Sequence, residues 1–176
     1  MKALIIIDMQ NDFAKNGGTL YFDGAEKIIP PILSLIKNAK SKKLPIILTQ
    51  DWHEEDDIEF NIWPKHCVKN TDGAQIISEI FDVLKDYNKV YYIKKTRYSA
   101  FFNTNLDEIL KKLNIKEVDL CGLVSNICVL FTAEELRNRD ITVNLYTNAT
   151  NSYDEKMHNF SLKLMKEVLN ISMKEV

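Results

Sequence analysis

The position of Cys128 in the sequence suits a thiol that forms a covalent bond to a substrate. It follows an apolar run, a glycine and a polar turn in the segment EVDLCGLVSNIC, and a helical pattern begins near it. A thiol in the first turn of a helix faces unpaired N–H groups and the positive end of the helix dipole, which favour the thiolate. We therefore expect this position to lower the thiol pKa and to make Cys128 a nucleophile. The alternative is a small buried hydrophobe, like Cys121 in the preceding run.

Two charged residues that end apolar runs could assist such a thiol. Asp8 closes the run ALIIID, and Lys95 closes KVYYIKK. A carboxylate beside a thiol can take its proton and later return it, and an ammonium group beside both favours their ionised forms. Alternatively, Asp8 caps the following loop and Lys95 is a solvated strand end. Lys94 competes for the same role, but side chains alternate along a strand, so only one of these lysines can face a site.

The segment DWHEEDDIEFNIWPKHC contains two of the three histidines of the chain. Asp51, His53 and His66 form a mixed oxygen and nitrogen donor set of the kind that binds a divalent metal with open positions. Glu59 could add a further contact. An acidic loop with two solvated histidines is the alternative. The third histidine, His158, lies in an amphipathic run, where we expect a structural role.

Other loop residues have candidate roles as well. Four aromatic residues of the loops could bound a flat aromatic ligand, or could simply anchor those loops. A second carboxylate in the first loop, Asp12, is expected to be structural. The four aromatic residues are Phe13, Trp52, Trp63 and Tyr98.

The elements that must position these residues alternate between short apolar runs and longer amphipathic ones. The short runs are β-branched and do not alternate in polarity, as expected for parallel strands buried on both faces. The amphipathic runs repeat apolar residues with helical spacing. One domain over residues 1–176 is therefore predicted, a three-layer α/β/α fold with a mostly parallel central sheet. The strand-like runs are ALIIID, LPIILTQD, KVYYIKK, EVDLCGL and ITVNLYTN.

Such sheets bind ligands outside the carboxyl ends of their strands, so residues that follow the apolar runs should share one rim. There a nucleophile, a carboxylate, a cation and a metal-ligand cluster would converge, which is the pattern of an activated-thiol hydrolase.

The composition favours a small-molecule partner. The chain has 23 Lys and Arg against 25 Asp and Glu, a net charge of -2, which argues against nucleic acid or an anionic membrane surface as partner. No segment has the length of a signal-peptide core or of a membrane-spanning helix. The three cysteines form no C-x-x-C pair, which fits a reducing cytoplasm.

Taken together, these motifs resemble the isochorismatase-like cysteine hydrolases, and within them the nicotinamidase (pyrazinamidase) group. The resemblance runs over nearly the whole chain. DMQNDF and RYSAFF are shared widely in the superfamily, whereas DWH followed by WPKHCV and TDGA is more specific to nicotinamidases.

The resemblance implies a role for each candidate residue. The catalytic triad falls on Asp8, Lys95 and Cys128, with Lys95 preferred to Lys94 because the lysine of the family commonly stands two positions before the arginine that is Arg97 here. The metal ligands fall on Asp51, His53 and His66, and Glu59 is a candidate for a fourth contact.

The family also has a non-proline cis peptide before its nucleophile. It maps to Leu123–Val124 and would direct the N–H groups of Val124 and Cys128 into an oxyanion hole. Relatives more often have a small residue at the position of Val124 and threonine at that of Ser125, so this part of the pocket is expected to be narrower. Phe13, Trp63 and Tyr98 would bound the substrate ring.

The implied activity is hydrolysis of nicotinamide to nicotinic acid and ammonia through a cysteine thioester, a step of NAD salvage. The implied cofactor is one divalent metal ion, with zinc expected and manganese or iron as alternatives. A homo-oligomer is also expected. Three other functions stay open: a hydrolase of the superfamily with another substrate, a binding protein without turnover, and a redox protein that uses Cys128. The metal loop argues against isochorismate, and the lack of a C-x-x-C partner argues against redox chemistry.

Overall fold

A six-stranded sheet forms the centre of the computed structural model, which describes residues 1–176. The strands lie in the order β3-β2-β1-β4-β5-β6, and every neighbouring pair is parallel. Their bounds are β1 Lys2–Ile7, β2 Ile46–Asp51, β3 Val90–Lys95, β4 Glu117–Leu123, β5 Thr142–Asn151 and β6 Ser172–Lys174.

Helices cover both faces of this sheet, which confirms the predicted three-layer α/β/α fold. Residues of α2 and α3 join one hydrophobic core, and residues of α4, α5 and α6 join the other. The helices are α1 Asn11–Ala14, α2 Ile29–Ser41, α3 Ser78–Leu84, α4 Leu106–Lys112, α5 Cys128–Asn138 and α6 Glu155–Glu167, with 3₁₀ turns at Ala25–Ile28 and Ile58–Asn61. None of these helices has both the length and the apolar character that crossing a bilayer would need.

The central strand β1 shows why the apolar runs become strands. Leu4 and Ile6 join the core beneath α2, whereas Ile5 and Ile7 join the core beneath α5. All four side chains are buried. Burying each such side chain contributes about 1.5 to 3 kcal/mol, so a run that is apolar on both faces is stable only between two helical layers.

Three details differ from the sequence prediction. KVYYIKK becomes β3, but its burial alternates because β3 is an edge strand with one partly solvated face. Strand β5 extends to Asn151, three residues beyond the predicted run. The short strand β6 was not predicted, since its three residues lie on the opposite edge and none is fully buried.

The winding of the chain places the candidate residues at one rim. From β1 the chain runs outward to β2 and β3, and then returns across the sheet to β4 beside β1. The carboxyl ends of these four strands are therefore adjacent. Asp51 lies opposite Lys95 in the register, and Ile7 lies opposite Gly122.

Candidate active site

A buried lysine joins the predicted catalytic residues. Lys95 ends β3 and is only 2% exposed. Its Nζ lies 2.8 Å from Oδ2 of Asp8 and 3.5 Å from Sγ of Cys128, and it donates a hydrogen bond to Oδ1 of Asp51. The charges of Asp51 and Asp8 outweigh burial and raise the pKa of Lys95 well above its usual value, so the side chain is an ammonium ion.

The neighbouring lysine points away, as strand alternation predicts. Lys94 is exposed, and its Nζ lies 3.5 Å above the ring of Trp52 in a cation–π contact. The structure therefore places Lys95, and not Lys94, beside Asp8 and Cys128. It also corrects the expectation for Trp52, which does not line the cavity described below because it packs against Lys94 instead.

Asp8 occupies a left-handed turn directly after β1, with φ 48°. Its side chain is 1% exposed. Burial and the nearby charge of Asp51 raise the pKa of Asp8 more than Lys95 lowers it. A carboxylate with a raised pKa is a stronger proton acceptor than an ordinary aspartate, which suits a general base.

Cys128 is the first residue of α5 and is 7% exposed. The expectation that its position lowers the thiol pKa is wrong for this site. Burial raises the pKa of the Cys128 thiol more than the adjacent Lys95 lowers it, and the charges of Asp8 and Asp51 add to the rise. This environment favours the protonated thiol, so a base is needed to remove its proton. A carboxylate oxygen of Asp8 lies within 4.8 Å of Sγ.

The turn before the nucleophile carries two candidate donors. The peptide bond Leu123–Val124 is cis, and Val124 lines the cavity. The N–H of Cys128 lies in the first turn of α5, where such groups lack a partner within the helix. The turn is held from behind by a 2.8 Å hydrogen bond between Oγ of Ser125 and Nδ1 of His158, a structural contact as expected for His158.

Asp51, His53 and His66 form a compact group of metal donors. Oδ2 of Asp51 lies 3.8 Å from Nε2 of His53 and 3.7 Å from Nε2 of His66. The opposite ring nitrogens are anchored, Nδ1 of His53 by Asp57 at 2.9 Å and Nδ1 of His66 by the carbonyl oxygen of Pro64 at 2.7 Å. Nε2 of His53 is buried and has no hydrogen-bond partner. These features fit a divalent metal, since a buried nitrogen of this kind needs a partner.

Glu59 lies close to this group. Its side chain is 5% exposed and lines the same cavity, and Oε2 lies 3.6 Å from Nη1 of Arg97. Burial and the charge of Asp51 raise the pKa of Glu59. The oxygens of Glu59 are nevertheless outside the group formed by Asp51, His53 and His66.

A cavity of about 350 Å³ is lined by Cys128 and by two of the three metal donors, Asp51 and His66. Asp8, Asp51 and Cys128 are part of its lining, and most of the remaining lining residues are apolar. The predicted aromatic residues Phe13, Trp63 and Tyr98 line it, and Nε1 of Trp63 donates to the hydroxyl of Tyr98 at 3.1 Å. Three further aromatic residues, which sequence reasoning missed, complete the wall: Tyr21, Phe22 and Tyr153.

Several supporting residues also escaped the sequence analysis. The amide of Gln10 is buried and pairs with both backbone groups of Asp51 at 2.8 Å. Thr49 contacts Asp8, and Asp57 contacts His53. The only feature of the sequence that could have indicated a role for Gln10 is its place in the motif DMQNDF. Asp12 is structural as expected, because Oδ2 accepts the N–H of Cys67 at 2.7 Å and thereby anchors the loop beside His66.

Comparisons with known proteins match most or all of the chain. A family model described as the isochorismatase domain matches residues 2–174. The chain is 31% identical to a nicotinamidase of Saccharomyces cerevisiae over 76% of this chain and 80% of the relative. A crystal structure of the nicotinamidase/pyrazinamidase PncA from Bacillus subtilis superposes with a TM-score of 0.93 at 32% identity, covering 99% of both chains. The pyrazinamidase of Pyrococcus horikoshii in complex with zinc gives a TM-score of 0.90 at 32% identity, again over 99% of both chains.

Proposed function

The chain belongs to the isochorismatase family, and from that premise we propose that it is a nicotinamidase, which hydrolyses nicotinamide to nicotinic acid and ammonia. One observation carries the proposal most directly. A cavity with aromatic walls is lined by Asp8 and Cys128, both of which Lys95 contacts, and by the metal donors Asp51 and His66. A flat pyridine ring with a carboxamide substituent matches that division of apolar and polar surface.

The first chemical step uses the protonated thiol. Asp8 takes the proton of Cys128 as the sulfur attacks the carboxamide carbon, and Lys95 offsets the negative charge that both groups share. The substrate oxygen becomes an oxyanion. We assign its stabilisation to the backbone N–H groups of Val124 and Cys128.

The second step expels ammonia. Asp8 returns its proton to the amide nitrogen, the carbon–nitrogen bond breaks and a thioester to Cys128 remains. Asp8 then accepts a proton from water as the water attacks the thioester carbon. The carbon–sulfur bond breaks, Asp8 returns the proton to the sulfur of Cys128, and nicotinic acid leaves. The raised pKa of Asp8 suits both tasks, because the same group must accept and donate protons near neutral pH.

We further propose that one divalent metal ion binds at Asp51, His53 and His66, with Glu59 as the candidate for a further contact. Zinc is expected, and manganese or iron suits the same donors. When bound, such an ion supplies a Lewis acid that can hold the pyridine nitrogen and a water molecule. Asp51 would then serve two partners, the ion through one carboxylate oxygen and Lys95 through the other.

The proposal also covers the residues that hold the substrate ring, the class of substrate, the cellular location and the oligomeric state. Phe13, Trp63 and Tyr98 would hold the pyridine ring between them. The net charge of -2 and the apolar cavity support a small-molecule substrate over nucleic acid or a membrane surface. We also propose a cytoplasmic homo-oligomer that acts in NAD salvage.

A second candidate is another small amide as substrate. Val124 lines the cavity where relatives more often have a small residue, so its two methyl groups reduce the space beside the nucleophile. An amide smaller than nicotinamide, or of different shape, would then fit better than nicotinamide.

The test is ammonia release from nicotinamide by the purified protein, the Cys128→Ala variant and a metal-stripped sample. Loss of activity in both altered samples, with recovery on adding back zinc, would support the nicotinamidase proposal. If the metal-replete protein releases no ammonia, that proposal fails. A panel of smaller and bulkier amides then separates a different amide hydrolase from a protein that only binds.

A further inference from the structure

The side chain of Asp8 is fixed by one hydroxyl group of the neighbouring strand β2. Oγ1 of Thr49 accepts the backbone N–H of Asp8 at 3.1 Å and donates to Oδ1 of Asp8 at 2.6 Å. Thr49 is fully buried. Because the Asp8 N–H can only donate, the hydroxyl proton is free for the carboxylate, and the direction of both hydrogen bonds is settled.

This contact makes the two carboxylate oxygens different. Oδ1 is occupied by Thr49, whereas Oδ2 is buried and accepts no well-aligned hydrogen bond. The 2.8 Å approach of Lys95 to Oδ2 is thus a charge contact more than a directed bond. Oδ2 is therefore the oxygen that remains available to receive the proton of Cys128.

The hydroxyl of Thr49 makes the one well-aligned hydrogen bond to this carboxylate. The torsion that turns a carboxylate has broad, shallow preferences of its own. Lys95 approaches Oδ2 but is shared with Asp51 and Cys128, so we expect it to constrain the carboxylate less than the dedicated hydrogen bond from Thr49 does. The N–H of Gln10 bonds the backbone carbonyl of Asp8 at 2.8 Å and leaves its side chain free to turn.

We propose that Thr49 is a positioning residue for the general base, and that its hydroxyl holds the Asp8 carboxylate with Oδ2 toward Cys128. Thr49 does not touch substrate, since it lies outside the lining of the cavity. The proposal rests on the proposed function for the identity of the substrate. Its chemical content, transfer of the Cys128 proton to Asp8, applies to any electrophile that reaches the thiol.

The kinetic test compares Thr49→Val with Thr49→Ser. Valine keeps the shape and burial of threonine and removes the hydroxyl, whereas serine keeps the hydroxyl. We expect Thr49→Val to lower kcat at least roughly tenfold with KM changed less than about twofold, since a misplaced base slows the chemical step and leaves binding intact. Thr49→Ser should restore most of kcat. The rates are compared on the alkaline plateau of the pH profile, where Asp8 is ionised in every variant.

A second readout needs no substrate. The rate of Cys128 alkylation by iodoacetamide is followed by mass spectrometry at matched metal content. Because burial and the charge of Asp8 favour the protonated thiol, its attack on iodoacetamide depends on transfer of the proton to Asp8 as the sulfur reacts. We expect slow alkylation in Thr49→Val and a nearly normal rate in Thr49→Ser. If valine prevents folding, Thr49→Ala removes the same hydroxyl and serves in its place.

The outcomes separate this proposal from the proposed function. Wild-type kcat and alkylation rates in a folded Thr49→Val variant would overturn the positioning role. Equal losses in Thr49→Val and Thr49→Ser, accompanied by loss of metal, would also overturn it and leave Thr49 as part of the packing. If wild-type protein does not hydrolyse nicotinamide, the nicotinamidase proposal fails, but the alkylation rates still decide the role of Thr49.

Discussion

Nδ1 of His53 lies 2.9 Å from Oδ2 of Asp57, and this contact turns the other ring nitrogen of His53 toward Asp51. Asp57 is itself held by the N–H of Glu59 at 2.9 Å and by Nη1 of Arg97 at 3.0 Å. A carboxylate behind a metal-binding histidine fixes the ring and increases its basicity. Asp57 therefore belongs to the proposed metal site although it is not one of the ligands.

Replacing Asp57 with asparagine should weaken metal binding. The Asp57→Asn variant keeps the size of the side chain but loses the charge that orients His53, and we expect zinc affinity to fall about 10- to 100-fold. Competition with a chromophoric chelator measures the change. Glu55→Gln is the matched control, because Glu55 is exposed in the same loop and pairs only with Lys65. Equal affinities in the two variants would contradict the role of Asp57.

The same carboxylate should make the metal-free protein sensitive to acid. Burial raises the pKa of Asp57, but hydrogen bonds from Glu59, His53 and Arg97 outweigh this and lower it to about 2, below the ordinary value of 3.8. A depressed pKa stabilises the fold above the unfolded value, and the contribution, on the order of 2 kcal/mol, is lost as pH falls from about 4 to 2. Urea unfolding should show the gap between wild type and Asp57→Asn closing over that range. A difference in unfolding free energy that stays constant over this pH range would contradict the lowered pKa of Asp57.

Lys95→Met should damage both stability and activity. Removing the ammonium leaves Asp8 and Asp51 buried without their shared cation, and breaking a buried ion pair in this way costs about 3 to 5 kcal/mol. Chemical denaturation and ammonia release measure the two effects. Lys94→Met is the control, since Lys94 is exposed and contacts the ring of Trp52. Comparable losses of stability and activity in Lys94→Met would show that the effect comes from the loss of any positive charge in this segment and not from the contacts of Lys95.

Gly122→Ala should destabilise the fold at the end of β4, close to the turn that precedes Cys128. Gly122 has φ 113°, and a Cβ there would lie 2.1 Å from the carbonyl oxygen of Ile7 in β1. Gly17 also has a positive φ, 90°, but has no atom within 4 Å of the Cβ position, so Gly17→Ala isolates the cost of the backbone conformation. That cost is about 1 to 2 kcal/mol, and Gly122→Ala should exceed it clearly in urea unfolding. Equal destabilisation would mean that β1 and β4 separate easily.

The three cysteines should differ in reactivity. Burial raises the pKa of the thiols of Cys67 and Cys121 far above the ordinary value, and neither residue lines the cavity. Cys128 is also buried, but it lies on the cavity wall with Asp8 to accept its proton. Native iodoacetamide labelling followed by peptide mapping should find Cys128 modified first. Prior modification of Cys67 or Cys121 would show that the thiols are reached by local opening.

The sequence was sufficient for the layers of the fold because strands buried on both faces and amphipathic helices have different patterns. The alternation of side chains along a strand also predicted that Lys94 and Lys95 point to opposite sides, and the resemblance to the family then favoured Lys95. The edge strand β6 escaped because its three residues are partly exposed and carry no continuous apolar signal.

Within the site, the charged residues at strand ends could be identified from the sequence. The residues that hold them in place by hydrogen bonds could not. Thr49 and Gln10 are ordinary polar residues in the sequence, and only the parallel pairing of β1 with β2 brings them to Asp8 and Asp51. The thiol pKa was misjudged for a related reason. Helix position is visible in a sequence, but the dehydration of Cys128 by the surrounding fold is not.

The return of the chain from β3 across the sheet to β4 has a consequence for folding kinetics. Asp8 and Cys128 are 120 positions apart, and their strands cannot pair until the long intervening segment has been arranged, so the contacts of the site have high contact order. The site is then among the last parts to assemble. Recovery of activity during refolding should follow the recovery of helical circular dichroism and never precede it, and a fragment that lacks β4 should form helices without acquiring a working thiol.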